Sequence, residues 1–187
     1  MIIFMGVAGA GKSVQGKMLA DKVGLPWLST GEFFRMLVSG KKRIDMVAGK
    51  LLGDHDTIAL VQKIFAIVGT DQEFVLDGFP RTMPQVDWLL SQVRHRQLDV
   101  TAVIQIETPQ EVVIERLLNR GRQDDTKEAI AARFNEYRKQ TLPILSAFKE
   151  ANIPVYEIDG NGEVEEIHQK IVNVIVPKLK SDHVHQN

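Results

Sequence analysis

Short, largely apolar runs alternate along this chain with longer stretches of helical periodicity. Ile2–Met5, Trp27–Ser29, Phe74–Asp77, Ala102–Glu107 and Val155–Ile158 have the length and side-chain type of buried strands. Between them, Val14–Lys22, Thr57–Val68, Gln85–Arg94, Pro109–Asn119, Lys127–Ala151 and Val164–Leu179 repeat apolar residues at three- and four-residue spacing, which predicts helices. Start signals accompany several of them. Asp54 and Asp56 place acidic charge before one, Thr108-Pro109 reads as N-cap and first turn, and Thr126 is followed by Glu128. Strands that alternate with helices predict an α/β fold in three layers: a five-stranded parallel sheet, right-handed crossovers and helices on both faces. No internal repeat, low-complexity tract or long linker interrupts the pattern, so residues 1–187 read as one domain. The polar tail Ser181–Asn187 reads as a frayed end.

Composition narrows the setting without deciding it. The chain is 44% hydrophobic and 25% charged with a formal net charge of −1, so nothing favours nucleic acid or a membrane surface as partner. It has no cysteine, which excludes disulfides and thiolate metal sites, zinc on cysteine among them. No apolar run approaches the ~20 residues that span a bilayer. A glycine-rich motif beginning at Gly6 leaves no room for a signal peptide, and the expected compartment is cytoplasmic.

That motif carries the first chemistry. Gly6-Val-Ala-Gly-Ala-Gly-Lys-Ser13 fills every fixed position of G-x-x-x-x-G-K-[ST] and lies between a predicted strand and a predicted helix, the context that makes it a phosphate loop. Gly6, Gly9 and Gly11 let successive backbone N–H groups turn inward, and the helix N-terminus adds partial positive charge. Lys12 can reach the β- and γ-phosphates, and the Ser13 hydroxyl can hold Mg²⁺. The implied ligand is a nucleoside triphosphate.

Ligands in such a sheet collect at the C-terminal ends of the strands. There the second strand carries Ser29-Thr-Gly-Glu-Phe-Phe-Arg35. The third carries Asp77-Gly-Phe-Pro-Arg-Thr82 with Gln85 beyond it. The fourth leads to Arg116, Arg120, Arg122 and then Asp124-Asp125, whose expected task is to orient those arginines or cap the next helix. So many guanidiniums on one rim exceed what a single triphosphate requires.

Taken in order, G-x-x-G-x-G-K, S-T-G-[DE]-x-x-R, D-G-F-P-R-T-x-x-Q, R-x-x-x-R, R-x-D-D and a terminal D-G resemble the adenylate kinases, within the nucleoside monophosphate kinases, from Met1 to about Leu179. The resemblance implies reversible phosphoryl transfer from MgATP to AMP by a monomer, with an insert over about 29–53 for the monophosphate and a very short lid over about 120–126. It implies that ATP is bound by Gly9, Ala10, Gly11, Lys12, Ser13, Val14, Arg116, Arg120 and Gly162. AMP would be bound by Thr30, Gly31, Arg35, Lys50, Leu51, Leu52, Gly78, Phe79, Pro80, Arg81, Gln85, Arg122 and Arg133. Lys12, Arg81, Arg120, Arg122 and Arg133 would act in the transfer, Gln85 would read the adenine edge, and Asp77 with Ser13 would hold Mg²⁺, partly through water. No general base is implied, because the acceptor oxygen is already anionic.

The chain departs from that family in ways that leave alternatives open. Ser13-Val14 replaces Gly-Thr, and Ala8 stands in place of proline. Only Gly121-Arg122-Gln123 separates Arg120 from Asp124, and the Gly40–Gly49 segment is trimmed. Closure is therefore expected to fall to a small arginine-bearing loop with Gly121 as its flexible point. The open alternatives are a kinase for UMP, CMP or a deoxynucleotide, and a nucleotide-binding module without turnover.

Overall fold

The computed structural model describes residues 1–37, 39–48 and 51–179, with Arg43 in its backbone alone. Strand β1 (Ile2–Met5) runs through the phosphate loop into α1 (Lys12–Val23), followed by β2 (Trp27–Ser29). Helices α2 (Thr30–Leu37), α3 (Gly40–Val47) and α4 (Asp54–Val68) precede β3 (Val75–Asp77) and α5 (Met83–Arg94). Next come β4 (Ala102–Glu107), α6 (Gln110–Arg120), α7 (Lys127–Glu136) and a π-helical turn at Tyr137–Thr141. The chain continues with α8 (Ile144–Glu150), β5 (Val155–Asp159) and α9 (Val164–Ile175), which tightens into a 3₁₀ turn at Val176–Lys178.

The five strands pair in the order β2-β3-β1-β4-β5, every pair parallel. This is the predicted α/β arrangement. The chain builds first to one side of β1 and then to the other, so a crevice opens beside the C-terminal end of β1. Alternation along the strands divides the core. Ile3, Met5, Leu76 and Val103 face α4, α5 and α8 through Val61, Phe65, Leu89, Ile144 and Phe148. Ile2, Phe4, Val75 and Ile104 face α1, α6 and α9 through Leu19, Val113, Leu117, Ile167 and Ile171. Each such side chain, fully buried, contributes ~1.5–3 kcal/mol, and together they hold the strand ends in register. That register sets Ser29 and Phe4 on either side of Asp77.

Two expectations need correction. The helix expected over Lys127–Ala151 is broken: Pro143 offers no N–H, and the Leu142 N–H bonds back to the Tyr137 carbonyl at 2.8 Å, closing a π turn. Thr108 does not cap α6, because Pro109 has an extended ψ of 143° and helical geometry starts only at Gln110. Of the two tasks expected of Asp124 and Asp125, they take the first and hold arginines, while the Thr126 hydroxyl caps α7, accepting the Ala129 N–H at 3.2 Å. The trimmed insert is helical over α3, and no described helix is long and apolar enough to cross a membrane.

Candidate active site

The floor of the crevice is the turn between β1 and α1. Gly6 has φ +143°, and a Cβ there would stand 2.6 Å from the Ile106 carbonyl oxygen, so only glycine allows the loop to lie this close to β4. Lys12 folds back over the loop and donates to the Val7 carbonyl at 2.8 Å. Burial lowers its ammonium from 10.5 to about 8, with Arg81, Arg120 and Arg133 adding to the effect and Asp77 opposing it. The Ser13 hydroxyl donates to Asp77 Oδ2 at 2.5 Å, and the Ser29 hydroxyl reaches the same oxygen at 3.4 Å. Asp77 itself is 3% exposed. Two hydroxyls on one buried carboxylate form an all-oxygen donor set, the hard kind that suits Mg²⁺.

A second wall is built from the ends of β2 and β3. Arg81 donates from Nε to the Gly78 carbonyl at 2.7 Å, and its own carbonyl accepts the Thr141 hydroxyl at 2.8 Å. Gly78 has φ +88°, and a Cβ there would come within 2.8 Å of both Arg81 Nη2 and Thr30 Oγ1. A Cβ on Gly31 would stand 3.5 Å from Arg35 Nη1 and 3.7 Å from Arg81 Nη2, so the two guanidiniums border one small space. Burial lowers the pKa of both; Arg122 adds to this for Arg35, and Arg133 and Arg35 for Arg81. Crowded cations of this kind make an anion-shaped gap.

The third wall is an arginine cluster at the α6–α7 turn. Arg120 forms a bidentate pair with Asp125 at 2.6 and 2.8 Å, while Arg133 reaches Asp125 at 3.1 Å and also pairs with Asp124. The Arg122 N–H donates to Asp125 Oδ2 at 3.2 Å. The Asp125 side chain is 1% exposed. Burial alone would raise its pKa, but the hydrogen bonds and charge of Arg120, the Arg122 N–H and Arg133 hold it below the usual carboxylate range. Gly121, with φ +64°, is the left-handed cap of α6, and the expected short lid is a turn gathered around Asp125. Arg116 donates to the Gly160 carbonyl at 3.1 Å and toward that of Gly162 at 3.4 Å, joining α6 to the loop after β5.

These walls enclose a cavity of about 530 Å³. Gly9, Ala10, Gly11, Lys12, Ser13 and Val14 line it from the loop, and Thr30, Gly31, Arg35, Leu51 and Leu52 from the insert. Asp77, Gly78, Pro80, Arg81 and Gln85 line it from β3, and Arg116, Arg120, Arg122 and Arg133 from the far wall. Phe79 does not: it is 1% exposed and packs edge-on against Trp88 at 5.9 Å, a core side chain. Gly162 lies behind Arg116 rather than on the lining, and Lys50 falls outside the described residues. The sequence reading missed Tyr137 and Thr141, which the π turn carries to the lining; Tyr137 also pairs with Gln105 of β4. The only signal for them was Pro143, a break in an otherwise periodic helix.

A phosphate loop and two further arginine walls around one cavity fit a transfer between two phosphorylated substrates. A model of the family described as adenylate kinase matches residues 4–153. An adenylate kinase of Corynebacterium urealyticum is 35% identical over 174 residues, covering 90% of this chain and 94% of the relative. That of Corynebacterium glutamicum strain R is 34% identical over 182 residues, covering 93% and 98%. The chain belongs to the adenylate kinase family. An adenylate kinase of Clostridium tetani matches with 31% identity over 211 residues, covering 93% of this chain and 97% of its own. The chain is thus a nucleotide-binding transferase, a nucleoside monophosphate kinase on the family's parallel-sheet fold.

Proposed function

We propose that this adenylate kinase family member moves the terminal phosphoryl group of ATP to AMP, reversibly, giving two ADP. The observation that carries the reading is the pair of guanidiniums, Arg35 and Arg81, converging over Gly31 in the same cavity as the phosphate loop. ATP lies with its phosphates in the loop of Gly9–Val14, against Lys12, and its base toward Arg116 and the loop at Gly162. AMP lies with its phosphate between Arg35 and Arg81, beside Thr30, Gly31 and Gly78, and its base among Leu51, Leu52 and Gln85. Arg120, Arg122 and Arg133 neutralise the charge that spreads over the transferred group. The chemistry needs positioning and charge more than covalent help, because an ionised phosphate oxygen attacks without a base. Ser13 and Asp77 would hold Mg²⁺, partly through water, and the ion would supply neutralisation between the phosphates. The chain works as one unit, with the 29–53 insert over AMP and the 120–126 turn as lid.

The test is ADP formation from MgATP with AMP, UMP, CMP, GMP or no acceptor. ADP is expected with AMP alone. Preference for UMP or CMP would overturn the acceptor assignment while keeping the kinase. ATP binding with no acceptor-dependent turnover would make the chain a binding module.

A further inference from the structure

Behind the cavity lining at Gln85 lies a polar link that the transfer does not use. Asp54, the first residue of α4, receives the Thr82 hydroxyl at 2.6 Å and the Gln85 Nε2–H at 2.8 Å on the same oxygen. Gln85 Oε1 in turn accepts the Arg81 backbone N–H at 2.8 Å. Gln85 is 2% exposed and Thr82 7%, so neither exchanges these partners freely with water. The two partners of the amide are of opposite kind and fixed kind. A carboxylate only accepts, and a backbone N–H only donates.

We infer that Asp54 is a positioning residue that sets base specificity by locking the amide of Gln85 in one orientation. The inference rests on Gln85 reading the acceptor base. A free glutamine amide can turn over and present donor and acceptor in either order. Here the turned amide would set Oε1 against the Asp54 carboxylate and Nε2–H against the Arg81 N–H, losing two hydrogen bonds for two repulsions. The locked amide keeps one spare N–H and one spare oxygen lone pair, in a fixed order, for the cavity. Adenine presents a donor at its 6-amino group and an acceptor at N1. A 6-oxopurine presents the reverse pattern on the same ring shape, and a site whose buried polar groups are left unpaired rejects such an analogue strongly. Asp54 therefore acts on the base from a distance, through the order in which Gln85 offers its two groups. It also joins the insert side of the cavity to the strand end that carries Arg81, across 31 residues of sequence.

Asp54→Asn separates this role from support of the fold, because an asparagine of equal size can pair with Gln85 in either orientation. The measurement is kcat/KM for AMP and for IMP with saturating MgATP in wild type, Asp54→Asn and Gln85→Leu, with thermal midpoints and the KM for MgATP alongside. Asp54→Asn is expected to lower the AMP-to-IMP ratio about tenfold, by a rise in IMP use and in the KM for AMP, with little change in the KM for MgATP. Gln85→Leu is expected to collapse the same ratio. A collapsed ratio in Gln85→Leu with an unchanged one in Asp54→Asn would overturn the lock and leave Gln85 as the reader. Equal loss for both acceptors in Asp54→Asn would reduce Asp54 to structural support and overturn it as well. An unchanged ratio in Gln85→Leu would remove the base-reading assignment itself, and the lock with it.

Discussion

The phosphate loop and the arginine turn between α6 and α7 set positive charge against the same cavity by opposite means. The loop's donors are backbone N–H groups and a helix end, close together in sequence and fixed by the strand-to-helix turn. Its one side-chain cation, Lys12, rests on a carbonyl and lies among Arg81, Arg120 and Arg133, with Asp77 as the nearby counter-charge. The arginine turn draws its charge from side chains on two helices, and two carboxylates hold them. Removing Asp125 would leave Arg120 without its paired carboxylate and Arg133 with Asp124 alone; the loop has no single residue of that kind among its backbone donors. One half of the site is thus positioned by chain geometry and the other by counter-charge, and the second is the more fragile.

Asp125→Ala should break that contrast most severely. It takes the paired carboxylate from Arg120, a third exposed, and leaves Arg133, largely buried, with Asp124 alone, so stability should fall by about 2–4 kcal/mol in urea titrations. The misplaced guanidiniums should lower kcat about 10²–10³-fold. Asp125→Asn, which keeps the shape, should lose less of both. A variant that lost stability while keeping wild-type kcat would show that the carboxylate does not aim the arginines.

The loop answers to pH more gently. The folded pKa of Lys12 lies below its unfolded value, so between pH about 8 and 10.5 the unfolded chain holds a proton that the folded chain has released, and stability rises with pH across that window. Triphosphate binding favours the ammonium form and pulls the other way. ATP affinity should therefore fall severalfold as pH rises from about 7.5 to 9.5, and Lys12→Met should flatten that slope. A wild-type profile flat over this range would show that Lys12 stays charged without ligand.

What the sequence made legible divides along the same line. The phosphate loop and the alternation of strands and helices are local and readable from spacing, while the strand-end motifs are local but took their meaning from the family resemblance. Arg35, Arg81, Arg120, Arg122 and Arg133 were nameable, but their convergence depends on strand register and on Asp125. The π turn escaped because the apolar period runs on through Tyr137–Thr141, and only Pro143 marks where the hydrogen bonding must change. Phe79 sits inside a motif whose neighbours face the cavity, yet past the end of β3, after Gly78 at φ +88°, its ring turns toward Trp88 and the core. The Asp54–Gln85 link crosses two elements and leaves no periodic trace.

The proposed sharing of the site between ATP and AMP is tested most directly by calorimetric titration of both nucleotides into the wild-type chain and Arg81→Ala. With Arg81 on the acceptor side, as proposed, AMP affinity should fall about 100-fold or more while ATP affinity stays within about twofold. Equal losses for both nucleotides, or an AMP affinity left unchanged, would contradict the assignment.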